Sequence, residues 1–92
     1  MLIVSYDISN DKLRTKFAKL LSEHGRRLQY SVFEIKHAER ILNLLLVTIE
    51  KKFAKQFDIT DSIVIFQVCE ACRKKAIRYG YAVHEEEELV FL

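Results

Sequence analysis

In the opening stretch MLIVSYDISNDKLRTKFAKLL, the residue best placed for chemistry is Asp7. It ends an apolar run, Leu2-Ile3-Val4, and a helical pattern begins shortly after it. A buried strand has no use for a charge in its middle. At the C-terminal mouth of a strand the backbone leaves the sheet, water enters, and carboxylates commonly bind or catalyse. The bland alternative is an aspartate that only makes a turn or caps the helix. On the residues alone both readings stand. Cys69-x-x-Cys72 is half a zinc site or a redox pair on paper. A second pair is missing, no helix clearly starts at it, and chance spacing is the simpler reading. The remaining option is a site of four thiolates across a dimer. His24, His37 and His84 share no ligand spacing and read as surface or helix-end residues. Lysines and arginines cluster at 12–19, 26–27, 51–55 and 73–78, while the acids gather in the run 85–88, a solvated turn that would repel nucleic acid.

The elements that must position these groups follow from the patterning. Residues 1–7 predict a strand. Ser9, Asn10 and Asp11 offer cap oxygens for a helix over about 11–24. Its Leu13, Phe17, Leu20 and Leu21 fall on one face. Lys12, Lys16 and Lys19 form a stripe opposite, and Arg14 sits at the apolar edge, where a snorkelling side chain is the ordinary expectation. Gly25 sits where a left-handed residue would stop the helix. Residues 26–36 alternate imperfectly, and the slip at Val32-Phe33 predicts a bulge or a break into two short strands. A second helix is expected over about 38–55, with Leu42, Leu45, Leu46, Ile49 and Phe53 at helical spacing. Residues 62–68 are the clearest strand. A turn over 70–75 leads to another strand over 76–83, with Gly80 as its bend, and the tail 89–92 is apolar again.

With 92 residues the chain makes one domain, 1–92, near the lower end of what can bury a self-sufficient core. A composition 50% hydrophobic and 30% charged excludes disorder. The net charge of +2 does not by itself call for a polyanionic partner. No stretch is long enough for a membrane span, and Asp7 interrupts the N-terminus too early for a signal peptide, so a cytoplasmic protein with reduced thiols and no membrane partner is expected. The element order predicts an α+β fold, with two helices packed on one face of a mainly antiparallel sheet. Such a sheet keeps open edges and a bare face. A homodimer is the expected remedy, with 84–92 docking as a strand on the partner protomer.

Tyr6-Asp7-Ile8-Ser9, then Arg14, then Gly25-Arg26-Arg27-Leu28-Gln29-Tyr30-Ser31-Val32-Phe33-Glu34 resembles the CRISPR-associated Cas-two (Cas2) endoribonucleases, small partners of the integrase Cas-one in spacer acquisition. The likeness is strong over the first third of the chain and looser through SIVIFQVCEACRKKA. The toxin-like VapD family shares the fold and is the nearest relative to confuse with it. The resemblance implies a ferredoxin-like fold that dimerises, with one catalytic Asp per chain, and the two facing each other across the twofold axis to hold a divalent metal.

In that reading Asp7 is both the catalytic and the metal-binding residue, for Mg²⁺ or Mn²⁺, an ion that needs only one or two carboxylates plus phosphate oxygens. The ion would activate a water and offset charge on the phosphodiester. Arg14, Lys16 and Arg27 match the nucleic-acid-binding positions. Lys16 stands where the family often has arginine, which keeps the charge and loses the bidentate geometry. Tyr6 and Phe33 match supporting positions near the same cleft, although each equally suits a core. Three functions then compete: a metal-dependent endonuclease cutting RNA or DNA (a VapD-like toxin ribonuclease being one variant), a non-catalytic dimeric adaptor bridging integrase subunits, and a ferredoxin-like regulatory module. The last leaves the Gln-x-Ser-Val-Phe segment unexplained. One carboxylate per chain is thin equipment for hydrolysis.

Overall fold

The computed structural model describes residues 1–77 and 79; the expected strand over 76–83, Gly80, His84 and the tail 84–92 lie wholly or in part outside the described residues. The chain runs β1 (Leu2–Asp7), α1 (Asp11–Ser22), β2 (Gly25–Gln29), β3 (Val32–Ile35), α2 (Glu39–Thr48), β4 (Ser62–Gln67) and α3 (Glu70–Lys74). The four strands form one antiparallel sheet in the order β2-β3-β1-β4. With βαββαβ connectivity this is the α+β arrangement that the element order predicts, in the ferredoxin-like form that the resemblance implies.

Alternation along β1 decides the sheet's two faces. Leu2, Val4 and Tyr6 point into the core, whereas Ile3 and Ser5 are half-buried and Asp7 is exposed on the other side. The register carries this across the sheet: Val4 lies beside Phe33 and Ile65, and Ser5 beside Val32 and Val64. On the helix side, Leu13, Phe17 and Leu21 of α1 and Leu45 of α2 close a single cluster with Leu2, Val4, Tyr6, Phe33 and Ile35. Each such side chain removed from water contributes about 1.5–3 kcal/mol. The opposite face keeps Val64 and Phe66 of β4 exposed, with Ile3 of β1 and Val32 of β3 half-buried on the neighbouring strands.

Local chemistry explains the element ends, and in several places corrects the sequence reading. Asn10, not Asp7, caps α1: the Leu13 N–H donates to Asn10 Oδ1 at 2.8 Å. Gly25 does not stop the helix with a left-handed backbone; it opens β2, and an added Cβ would lie 2.0 Å from the Glu34 carbonyl oxygen. What requires glycine is the close approach of β3. The bulge and the break, offered as alternatives at Val32-Phe33, both occur, but earlier in the chain. The register shifts between Arg27 and Gln29, and the hairpin turns at Tyr30-Ser31.

The second helix is not uniform over 38–55. After Thr48 it widens into a π turn, Ile49–Phe53, and ends in a 3₁₀ turn, Ala54–Gln56. The turn delivers Phe53 edge-on to Phe17, with ring centroids 5.1 Å apart. Leu46, assigned to the apolar face, is exposed together with Leu44 and Val47. The turn expected at 70–75 is a short helix, α3, with Cys69 at its cap position. Its Arg73 reaches Glu34 of β3 at 3.1 Å and ties the segment to the sheet. Among the described residues no helix is long and apolar enough to cross a membrane.

Candidate functional site

Asp7 is the last residue of β1, paired in register with Ser62 of β4, and its side chain is exposed on the face away from the helices. Among the described residues no hydrogen bond or ion pair ends on its carboxylate. The capping alternative therefore fails, because Asn10 already performs it. Nor do the described residues hold any group of three or more His, Cys, Asp or Glu side chains placed to share a metal ion. One free carboxylate, that of Asp7, is what the described residues of a single chain contribute here.

The mouth of the strand is held in shape by a separate acidic latch. Asp61, just ahead of β4, accepts hydrogen bonds from the Ser9 N–H at 2.9 Å, the Ser9 hydroxyl at 3.1 Å and the Asp58 N–H at 2.9 Å. The Ser9 hydroxyl also lies 3.3 Å from Asp58 Oδ2. The Asp58 and Ser9 N–H groups hold the Asp61 carboxyl below its ordinary pKa. This latch joins the connection after β1 to the loop before β4, and so fixes the backbone leaving Asp7.

Arg14 and Arg27 come together, although not beside Asp7. With Tyr6, Thr15, Ala18 and Tyr30 they line a cleft of about 250 Å³ between α1 and the β2–β3 hairpin. Arg14 is partly committed: one guanidinium nitrogen donates to the Ile8 carbonyl at 3.1 Å and the other pairs with Asp11, the contact that chiefly raises the Arg14 pKa. The Arg27 guanidinium sits over the Phe33 ring, 5.0 Å from its centroid. Phe33 and Tyr6 are core residues beneath the cleft, stacked at 6.3 Å, and Tyr6 meets Phe17 edge-on at 5.1 Å. They shape the floor of the cleft.

The arrangement separates two groups that the sequence reading had placed together. Lys16 is not in this cleft. It lines a second one, of about 340 Å³, with Lys51, Lys52 and Gln56 over Leu13 and Phe53. Residues two apart on a helix do not share a face, which is why Lys16 and Arg14 diverge. Asp7 lines neither cleft, and it emerges from the sheet face opposite the helices.

Tyr30 was missed. It lies at the hairpin turn, 73% exposed, at the rim of the Arg14–Arg27 cleft. The only sequence signal was an aromatic in a turn, Gln29-Tyr30-Ser31. His24 and His37, unrelated in spacing, both line a cleft of about 640 Å³ with Met1, Glu34, Glu70 and Arg73. There Glu34 is held between Arg73 at 3.1 Å and Arg26 at 3.6 Å.

The family model described as CRISPR associated protein Cas2 matches residues 1–76. The chain is 33% identical over 89 residues to a protein named CRISPR-associated endoribonuclease Cas2 2 from Methanospirillum hungatei, a match covering 97% of this chain and 96% of that protein. It is 37% identical over 86 residues to the same organism's CRISPR-associated endoribonuclease Cas2 1, covering 92% and 83% of the two. Among solved structures it is similar to Streptococcus pyogenes Cas2, with a TM-score of 0.66 and 26% identity over 86% of this chain and 98% of that one. A hypothetical protein from Thermus thermophilus gives a TM-score of 0.67 and 32% identity, covering 87% and 89%.

Proposed function

The chain belongs to the CRISPR-associated Cas2 family, and on that premise we propose that it serves spacer acquisition as a homodimer gripping nucleic acid, with Asp7 as the residue that would hold Mg²⁺ or Mn²⁺ for phosphodiester hydrolysis. The observation that carries the reading is the Asp7 carboxylate: exposed, without a partner among the described residues, on a sheet face lined by Val64 and Phe66 that a second copy would cover. Its donor chemistry fits a hard cation, since Mg²⁺ takes one or two carboxylates and completes its shell with water and phosphate oxygens. One chain offers half of such a site, and a twofold axis beside Asp7 would bring the second carboxylate. The bound ion would supply an activated water and a counter-charge for the phosphodiester.

The chain's own residues would do the rest. Arg14 and Arg27 would bind and orient the backbone phosphates of DNA or RNA, with the Tyr30 ring beside them as a stacking surface. Tyr6 and Phe33 keep the cleft floor rigid. Lys16, with Lys51 and Lys52, would add a second basic contact on the helix side. The partners in this reading are a second copy, nucleic acid and the integrase Cas-one.

A second reading is favoured by one specific feature. The Arg14–Arg27 cleft and Asp7 open on opposite faces of the sheet, so phosphate held in one does not by that contact reach the other. A non-catalytic adaptor, bridging integrase subunits and gripping the DNA fragment, needs only the clefts. The deciding experiment assays Asp7→Ala twice, for cleavage with Mg²⁺ and for spacer integration with the integrase. Loss of cleavage with integration intact makes Asp7 catalytic and the adaptor role separable. No cleavage by either protein leaves the adaptor alone.

A further inference from the structure

Cys69 and Cys72 are both exposed, and their sulfurs lie 3.4 Å apart in hydrogen-bond contact. Both ends of the Cys-x-x-Cys segment are fastened to the sheet. Val68, immediately before Cys69, exchanges two main-chain hydrogen bonds of 2.8 Å with Met1. Arg73, immediately after Cys72, donates to the Glu34 carboxylate at 3.1 Å, and its N–H bonds the Cys69 carbonyl at 3.1 Å. The two thiols are thus held facing each other by contacts that do not involve them.

We infer that Cys69 and Cys72 form a built dithiol that closes to an intrachain disulfide by exchange with a low-molecular-weight or protein disulfide. The inference is independent of any role for Asp7. A disulfide bond is ~2.05 Å long, so the sulfurs have a short approach to make. Their surroundings are unequal. The Cys72 N–H and the Cys72 thiol face the Cys69 sulfur and pull the Cys69 pKa below the ordinary thiol value; the hydrogen bond to Cys69 pushes Cys72 the other way. Cys69 is accordingly the attacking sulfur. Its thiolate breaks the S–S bond of the oxidant, RSSR, forms a Cys69–S–S–R mixed disulfide and releases one thiolate. Cys72, giving up its proton, then attacks the Cys69 sulfur and releases the second thiolate. Two electrons pass to RSSR, the protons of the two protein thiols end on two RSH, and the pair is left as a disulfide. The same chemistry run backwards by a thiol reopens it.

The test uses the full chain with glutathione disulfide and reduced glutathione in fixed ratios, read by intact mass after thiol blocking. Wild type is expected to give a monomer lighter by two hydrogens, with the oxidation equilibrium favoured about tenfold over the same chain in guanidinium, or about 30 mV for a two-electron couple. Cys72→Ser is expected to stop at one glutathione on Cys69, formed several-fold faster than the adduct on Cys72 in Cys69→Ser. A disulfide no more favoured in the folded chain than in guanidinium would overturn the inference. So would a wild-type monomer carrying two glutathiones, a disulfide-linked pair of chains as the main product, or one tightly held zinc ion per two chains that protects all the thiols.

Discussion

The Tyr6 ring meets Phe17 edge-on at 5.1 Å on the helix side of β1, and the next residue, Asp7, leaves the sheet on the other side with its carboxylate exposed. Strand alternation forces this split. The same two residues therefore fix the register of the core and deliver a charge to the uncovered face. A one-residue slip would bury Asp7 and expose Tyr6, so the packing of Tyr6 holds Asp7 in place.

A carboxylate with no partner should be dispensable for folding. Asp7→Asn is expected to change unfolding free energy in metal-free buffer by no more than about 0.5 kcal/mol. Asn10→Ala, which removes the real cap of α1, should cost about 1 kcal/mol. Urea titration of the two variants beside wild type measures both; a larger cost at Asp7 than at Asn10 would return Asp7 to the role of a cap.

Gly25 tests the backbone argument. An alanine there puts a Cβ 2.0 Å from the Glu34 carbonyl oxygen and 2.8 Å from Ile35 Cδ1. The first is backbone in a paired strand and cannot swing aside, so β2 and β3 must part. Gly25→Ala should destabilise by about 1–3 kcal/mol, the usual range for overpacking. Amide exchange should rise first across the β2–β3 pairs, and protection equal to wild type there would refute the close-approach account.

Much of this was legible in the sequence because it is periodic. The spacing of Leu13, Phe17 and Leu21 located the buried stripe of α1, and the alternation through Leu2, Val4 and Tyr6 located the inner face of β1. What escaped is non-local or too short to repeat. The reason for Gly25 lies in the Glu34 carbonyl across the hairpin, α3 is five residues with no period to detect, and Tyr30 joins its cleft only once the hairpin folds back over α1. The divergence of Lys16 from Arg14 was readable in their two-residue offset.

Asp61 gives the pH prediction. Its carboxyl has a lower pKa folded than unfolded, so the latch contributes its stability above the unfolded value of about 3.9 and loses it as pH falls through the folded value. Asp61→Asn should therefore be less stable than wild type near neutrality, and the gap should shrink below pH of about 4. Denaturant midpoints measured from neutrality down to acid settle it; a gap that is constant or widens toward acid would contradict the latch.

The two arginines of the hairpin cleft should act on nucleic acid without regard to sequence. Arg14→Ala with Arg27→Ala is expected to weaken binding uniformly across sequences and lower the salt slope by about 2, one for each phosphate contact. Replacing Lys16, Lys51 and Lys52 should give a separate loss, additive with the first because the two groups line different clefts. Arg14→Ala alone should also cost some stability, since it frees the Ile8 carbonyl. Fluorescence anisotropy over a salt series reads the binding changes, and urea titration of Arg14→Ala reads its stability.

The proposed dimer and the proposed metal site stand on one face, and this permits a joint test. Val64 and Phe66 are exposed there with no covering element among the described residues. Phe66→Asp places a charge in that strip without touching the core on the other side of β4, so it should leave a folded monomer by light scattering at micromolar concentration. If two Asp7 carboxylates share the ion, that monomer should also lose stabilisation by Mn²⁺, as Asp7→Asn does in a protein that remains dimeric. A monomeric Phe66→Asp that still gains as much from Mn²⁺ as wild type would place the ion on a single chain. Wild type that scatters as a monomer would remove the shared site altogether, leaving the Arg14–Arg27 cleft and the Lys16, Lys51 and Lys52 cleft to account for binding.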